Sequence, residues 1–540
     1  MDWPILSVII FLPFLGSLVI ALFPGESKKA LKGIAMFFML VNLALSVYLF
    51  IDFGGDGIKY MERMPWIATL GIDYIIGVDA LNILMILVTT FLFPIALIAG
   101  WNRISKSDEG GGEAGESVKL YLALLLGLEA ALLGAYAALD IFLFYIFYEA
   151  MLIPMYFIIG LFGGERRKYA TTRFVIYTII GSLLMLVAIL VIYFEYHSAT
   201  GHFTGDVAKL STVAFSPGIK VFLFFAFIIA FGIKSPLWPL HSWMPDAYVQ
   251  SPSSGSVLLA GLMSKVGIYG FIRFVLPLFK DLSLAYAPLI MALAAVAVIY
   301  GAMIATVQKE LKRMVAFFSF SHVGLILIGI FSMNNLGVEG AVLQMANHAI
   351  LVAAFFIIIG IINDRRNTTE IEDFGGIGVV VPKLSTIFMI TILAAVGLPG
   401  LNGFVAELLI ILGVFKISIL FGVLVASAAL LGAICMLWMY ERVFFGKVTK
   451  KANSSIKDLS IRELVALIPL IIVMFWIGLF PGYILNKIGP GIEKYTTDFA
   501  PYTEIIEMDE NASYDSNLKN LIKTTSNDNK LENSDAGGLR

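Results

Sequence analysis

Glu129, Glu149, Lys234, Lys265, His322, His348 and Glu407 are ionisable side chains set inside long apolar runs of the sequence. The uncharged run Val221–Ile233 leads directly into Lys234. A charge at such a depth in a bilayer costs about 2.5–3.5 kcal/mol on insertion scales, so it needs a partner and by default marks an ion or proton path. Carboxylate, ammonium and imidazole groups spread over both halves of the chain are what a proton relay requires. Each position also has a plainer reading. Glu149 and Lys234 could be a static pair that fixes packing, although buried pairs seldom gain net stability over apolar residues. Lys265 could anchor a helix among small residues, Glu407 could cap one, and the histidines could be hydrogen-bonded core residues. His241 lies near a span end, and Arg273 is expected to snorkel to the interface.

The elements that position these groups are transmembrane helices. The chain of 540 residues is 59% hydrophobic and 14% charged, against about a quarter charged in soluble domains. Long apolar runs alternate with short charged loops, which indicates an all-α polytopic membrane protein of about fourteen spans. They are expected near 4–23, 31–51, 78–100, 118–139, 141–161, 174–194, 220–250, 256–278, 284–307, 314–332, 340–362, 384–415, 418–440 and 463–481. The seventh breaks at Pro236 and Pro239, the twelfth at Gly397-Leu-Pro399-Gly400-Leu-Asn-Gly403. Each carries a buried ionisable group beside its break, Lys234 and Glu407 respectively. Paired broken spans in corresponding positions point to an inverted repeat. The breaks lie five spans apart, so the repeating units have odd length and opposite orientation. The expected organisation is a three-span segment (1–117), a five-helix unit (118–278), a second inverted five-helix unit (284–440), a loop and last span (441–500) and a disordered polar tail (501–540).

Basic residues gather in the loops holding Lys28, Arg166, Lys309, Arg365 and Lys450, and are sparse in those holding Lys59, Lys209, Lys280 and Lys416. The bias places both termini on the outer side of a cell membrane. Residues 107–117 form an acidic, glycine-rich loop, expected to be flexible. The run Pro4–Phe23 follows Asp2 and no basic residue, which favours a retained span over a signal peptide. The lone Cys435 excludes an internal disulfide and a thiolate metal site. No dinucleotide fingerprint or P-loop is present, and no basic cluster suggests nucleic acid. No cofactor or metal is expected in this chain, so any redox chemistry belongs to partners.

Six stretches, in order, carry a resemblance. They are Gly77-Val-Asp-Ala-Leu-Asn-Ile-Leu, Phe147-Tyr-Glu149-Ala-Met-Leu-Ile-Pro-Met-Tyr, Ile233-Lys-Ser-Pro-Leu-Trp-Pro-Leu-His-Ser-Trp-Met-Pro-Asp-Ala, Gly255-Ser-Val-Leu-Leu-Ala-Gly-Leu-Met-Ser-Lys265-Val-Gly-Ile-Tyr-Gly, Ser319-Phe-Ser-His322-Val-Gly and Gly397-Leu-Pro-Gly-Leu-Asn-Gly-Phe-Val-Ala-Glu407. From Pro4 to about Pro490 the chain resembles the antiporter-like M subunits of respiratory complex I and their archaeal relatives. The resemblance implies fourteen spans with two inverted units. It implies that Glu149 is the fifth-span glutamate, Lys234 its seventh-span partner, Lys265 the central connecting lysine and Glu407 the terminal acid. Tyr248 departs from the family, which often has histidine there, and is assigned no proton-carrying role.

The implied function is proton translocation as a membrane-arm subunit of an NADH (or related donor):quinone oxidoreductase. Its partners would be the other antiporter-like subunits, the quinone and iron–sulfur subunits, and lipid. Separation of Glu149 from Lys234 would leave an unpartnered ammonium in low dielectric and drive its proton toward Lys265 and Glu407. The competing readings are a subunit of a multisubunit sodium/proton antiporter or of a membrane-bound hydrogenase, and a non-catalytic scaffold.

Overall fold

Inside a bilayer every backbone N–H and C=O must find its partner within the protein, and a helix does this segment by segment. The computed structural model describes residues 4–24, 27–106, 114–497 and 499. The expectations for the acidic loop, over 107–113, and for the polar tail lie outside the described residues. In chain order the helices are α1 (Ile5–Leu22), α2 (Lys28–Asp52), α3 (Ile83–Lys106), α4 (Ala114–Ala137), α5 (Ile141–Ala150), α6 (Leu152–Phe162), α7 (Arg167–Thr200), the short α8 (Val207–Leu210), α9 (Pro217–Lys234) and α10 (Met244–Gln250). They continue with α11 (Ser253–Leu258), α12 (Ser264–Gly270), the one-turn α13 (Leu276–Leu278), α14 (Lys280–Thr306), α15 (Leu311–Phe331), α16 (Asn335–Arg366), α17 (Pro382–Ala395), α18 (Asn402–Phe415), α19 (Ile419–Phe444), α20 (Ile461–Leu479) and α21 (Pro481–Thr497).

Among the described residues, 13 helical segments are long and apolar enough to cross a membrane, counting α5–α6 and α11–α13 as one each. The shorter apolar pair α17 and α18 fills the place of the expected twelfth span. The core is central. The spans built on α11–α13, α15 and α16 are buried along their whole apolar windows, whereas α1, α2, α19 and α20 are about one-third buried. Such all-round hydrophobicity marks helices enclosed by other helices.

The seventh and twelfth spans break where the sequence places prolines and glycines. α9 ends at Lys234 and helix resumes at Met244. Pro236 and Pro239 have no N–H to give to a helix. α17 ends at Ala395 and α18 begins at Asn402, with Gly397 at φ +71° and Gly400 at φ +94°, left-handed conformations that favour glycine.

Two elements lie where the sequence reading expected only loop. Strands β1 (Lys59–Ile67) and β2 (Ile72–Val78) form an antiparallel hairpin between α2 and α3. Its β1 strand is almost wholly exposed, so it lacks the alternation that identifies a strand. After the last span, α21 turns a single apolar stripe of Ile484, Ile488 and Ile492 onto the bundle.

Asp140 joins the hairpin to the first broken unit. Its Oδ1 accepts from the N–H groups of Phe142 (2.9 Å) and Leu143 (3.1 Å), capping α5, and its Oδ2 accepts from Asp73 in β2 (3.4 Å). Burial pushes this carboxyl up to about 6, against the three backbone donors that pull it down. A raised value means that the folded state binds the proton more tightly than the unfolded one. Stability from this group is therefore full at low pH and falls as pH rises from about 4 to about 6. Asp140→Asn should keep the cap and flatten that slope. Asp140→Ala should lose about 1 kcal/mol, the worth of a typical cap. Thermal unfolding of the two variants across this pH range distinguishes them.

Candidate functional site

Lys234 is the last residue of α9, where the helix ends and the backbone turns away, and it is 2% exposed. Its ammonium sits over the Tyr148 ring, 4.6 Å from the centroid. A cation over an aromatic face is stabilised by the ring quadrupole, more strongly when desolvated. Glu149 neighbours this site from α5, with Lys234 and Ser182 as its polar surroundings. The two charges feel each other, yet no contact within 4.0 Å joins them. The expected partner is thus present at a distance, and the aromatic face under the ammonium is an addition. Glu149 is only half-buried, on the side of the chain formed by α5–α7.

α12 approaches the end of α9 through Gly267. A methyl group there would stand 2.7 Å from the Ser235 nitrogen and 3.0 Å from Lys234 Cβ. Lys265, on the same helix, is fully buried. It follows a π-helical segment, Leu259–Met263, a local widening often found at functional sites. Lys265 Nζ donates to the Ala260 carbonyl in that segment (2.6 Å) and to Ser264 Oγ (3.4 Å), and meets His348 Nδ1 at 2.6 Å. An ammonium has three N–H donors. Protonated Lys265 satisfies all three here, which assigns His348 Nδ1 as acceptor and places its ring proton on Nε2.

His348 stacks on His322 with ring centroids 5.4 Å apart and planes at 15°. His322 Nδ1 lies 3.1 Å from the Phe318 carbonyl, which only accepts, so Nδ1 carries a hydrogen. Its Nε2 stands 3.3 Å from Glu407 Oε1. That contact holds one proton, as imidazolium with carboxylate or as imidazole with carboxylic acid. Gln344 Nε2 donates to the same Glu407 oxygen at 3.2 Å. Lys265, His348, His322 and Glu407 are therefore contiguous across α12, α16, α15 and α18. A cavity of about 20 Å³, lined by Ser321, His322 and Glu407 among apolar walls, has room for a water molecule.

Glu129 stands apart from this line. It is fully buried on α4, and its Oε1 accepts from Asn42 Nδ2 of α2 at 2.9 Å. Its Oε2 and the Asn42 Oδ1 have no hydrogen-bond partner in the protein. A proton on Oε2 would give both one, across a single acid–amide pair. Arg273 does not snorkel. It pairs with Asp79 at 2.6 Å and Tyr269 at 2.7 Å, because Asp79, just after β2, comes within reach of a second π-helical segment, Phe271–Val275. His241 stacks on Phe320 at 4.5 Å.

On the side of the basic loops, a polar cavity of about 380 Å³ lies at the end of α10, lined by Arg166, Gln250, Ser251, Lys312, Thr369 and Glu370 among others. Among the described residues no group of three or more His, Cys, Asp or Glu could hold a metal ion. Sequence reasoning missed Gln344 and Tyr148. Gln344 lies one helical turn before His348 on the same face of α16, and that spacing was the available signal.

The family described as NADH:quinone oxidoreductase/Mrp antiporter, TM, matches residues 138–432. The chain belongs to this family. The NADH-quinone oxidoreductase subunit M of Rickettsia bellii is 37% identical over 510 residues, covering 92% of this chain and all of the relative. A chain of respiratory complex I from Thermus thermophilus superposes with a TM-score of 0.82 at 28% identity, over 92% of this chain and 99% of that one. A chain of the Mrp complex from a Dietzia species shares the fold, with a TM-score of 0.79 at 18% identity over 93% and 99% of the two chains.

Within this NADH:quinone oxidoreductase/Mrp antiporter framework, two substitutions test the geometry. At Gly397 an added Cβ would lie 3.0 Å from Glu407 Oε2, and a left-handed non-glycine residue costs about 1–2 kcal/mol. Gly397→Ala should lower the unfolding temperature and displace Glu407, seen as a changed carboxyl infrared band. Glu129→Leu should cost about 1–3 kcal/mol by leaving the Asn42 amide unpaired. Glu129→Gln should cost much less in the same melting experiment.

Proposed function

We propose that this chain is a proton-translocating membrane-arm subunit of a complex I-type NADH:quinone oxidoreductase, and that protons pass through it along Glu149, Lys234, Lys265, His348, His322 and Glu407. The observation that carries the reading is the line of neighbouring groups from Lys265 to His348 by a polar contact, from His348 to His322 by ring stacking, and from His322 to Glu407 by a second polar contact. A packing role would not require four ionisable side chains in sequence in a low-dielectric core.

The steps follow from the groups in place. With Glu149 ionised nearby, Lys234 keeps its proton. When redox events in partner subunits draw Glu149 away, the ammonium loses its counter-charge and passes the proton toward Lys265. Lys265 gives a proton to His348 Nδ1, and the one on Nε2, which has no hydrogen-bond partner in the resting arrangement, passes to the stacked His322–Glu407 pair when the imidazole turns. His322 and Glu407 share the next proton, which leaves on the outer side. Moving one charge against 100 mV costs about 2.3 kcal/mol. A change of about two pKa units, at about 1.4 kcal/mol each, matches that work. Uptake is assigned to the polar cavity at Arg166, Ser251 and Lys312, on the side whose lysines and arginines mark it as inner.

The half-buried Glu149 supports partner subunits on the α5–α7 face, because a carboxylate is not left facing lipid. The proposed organisation keeps the inverted units at 118–278 and 284–440, supported by the two breaks at Lys234–Met244 and Ala395–Asn402. The segment 1–117, the loop and last span 441–500 and the tail flank them. The location is a cell membrane, with both termini outside. The donor and quinone bind elsewhere in the complex, and this chain contributes no cofactor. A sodium/proton antiporter subunit is the weaker reading, since likeness to the Mrp chain is one of fold, at 18% identity.

In membrane vesicles containing the assembled complex, Lys234→Ala and Glu149→Ala should each abolish most proton translocation by this subunit while the complex stays intact. Translocation measured against quinone reduction decides it. Normal pumping by both variants would sink the relay.

A further inference from the structure

Gln344 is fully buried on α16, and its two polar atoms are used unequally. Nε2 donates to Glu407 Oε1 at 3.2 Å, while Oε1 of the amide has no hydrogen-bond partner in the protein. The Glu407 oxygen it reaches is the one that meets His322 Nε2 at 3.3 Å. The other carboxylate oxygen faces the helix break, where a Cβ on Gly397 would come within 3.0 Å of it. A carboxylate only accepts hydrogen bonds, whereas a carboxylic acid also donates one. A lysine or arginine in the place of Gln344 would satisfy only the first state, and a second carboxylate would repel it. A primary amide serves both, by presenting either its N–H or its oxygen.

We propose that Gln344 is a positioning residue for proton transfer, holding Glu407 in register with His322 in both protonation states by turning its amide over. With Glu407 ionised, Gln344 donates N–H to Oε1, as the structure shows. When His322 Nε2 passes its proton to Glu407, imidazolium and carboxylate become imidazole and carboxylic acid. The acid O–H then swings from His322 Nε2 onto the amide oxygen as the amide rotates. On release the proton leaves the carboxyl, the charge returns and the N–H contact re-forms. Gln344 gains and loses no proton in the cycle. The proposal rests on the relay reading, since Glu407 must change its protonation state for the amide to turn.

The test uses the assembled complex in membrane vesicles. Gln344→Met keeps the length of the side chain and removes both hydrogen-bonding roles. It should lower translocation about tenfold, the effect of losing a hydrogen bond to a charged group, and should shift the infrared carbonyl band of protonated Glu407 toward that of an unbonded acid. Gln344→Glu should restore translocation on the acidic side of the pH profile, where its carboxyl both donates and accepts, and lose it on the alkaline side. Wild-type pumping with an unchanged carboxyl band in Gln344→Met overturns the proposal. If that variant fails to assemble, a wild-type pH profile in Gln344→Glu overturns it. Glu407→Gln separates the two ideas. Normal pumping there removes the relay itself, whereas lost pumping there with a normal Gln344→Met removes only the role of Gln344.

Discussion

A charge in the bilayer core survives only if the protein replaces the water it has lost. That requirement shapes the centre of this chain more than any other. A regular helix offers little help, because its carbonyls and amides are spent on one another. Three of the buried charges, Lys234, Lys265 and Glu407, sit on irregular helices, whereas Glu129 sits on the regular α4. α9 stops at Lys234, the span of Lys265 is widened into π-helix at Leu259–Met263, and α17 and α18 part around Gly397 before Glu407. At Lys265 the gain is explicit, since the π-segment carbonyl of Ala260 takes one of its three donors.

The same requirement explains why two imidazoles, rather than further fixed charges, stand between Lys265 and Glu407. Two lysines side by side would repel, and two carboxylates would do the same. An imidazole accepts at one nitrogen while donating at the other, so it joins a donor to an acceptor without adding a fixed charge. His348 takes the Lys265 contact at Nδ1, and His322 commits Nδ1 to the Phe318 carbonyl, leaving Nε2 for Glu407. The Lys265–His348 and His322–Glu407 contacts each hold one proton, and between them the two imidazoles meet only as stacked rings, with His348 Nε2 left without a hydrogen-bond partner in the protein.

Much of this was legible in the sequence, and the limits have physical causes. Apolar runs revealed the spans, since hydropathy is all that a bilayer demands of a span. Pro236, Pro239 and Pro399, with the glycines around the last, revealed the breaks. Buried charges announced themselves through their cost, and the chain brought Lys265, His348, His322 and Glu407 together. The pairings were harder to see. Arg273 finds Asp79 194 residues away, and nothing local distinguishes that pair from a snorkelling arginine. Gln344 escaped notice because a neutral amide in an apolar run carries no such warning. The β1 strand was hidden because an exposed hairpin shows no alternation. How far apart Lys234 and Glu149 stand is finer than sequence can give, and the Tyr148 face under the Lys234 ammonium could not be anticipated.

In the proposed relay, that separation bears on how the line would be driven. If Lys234 and Glu149 were locked in a close ion pair, moving them apart would demand the full cost of breaking a buried pair, about 3–5 kcal/mol. Here the ammonium rests on an aromatic face that supports the cation at about 0.5–2 kcal/mol, whether Glu149 is near or not. The ring lowers the penalty for the separated state, and Glu149 supplies the difference between states. Its half-buried place at the edge of the chain makes that difference accessible to a neighbour. At the other end, Glu407 is held by a histidine and an amide that tolerate either of its charge states. In the proposed relay, one end of the line is thus open to disturbance from outside, and the other is suited to changing charge in place.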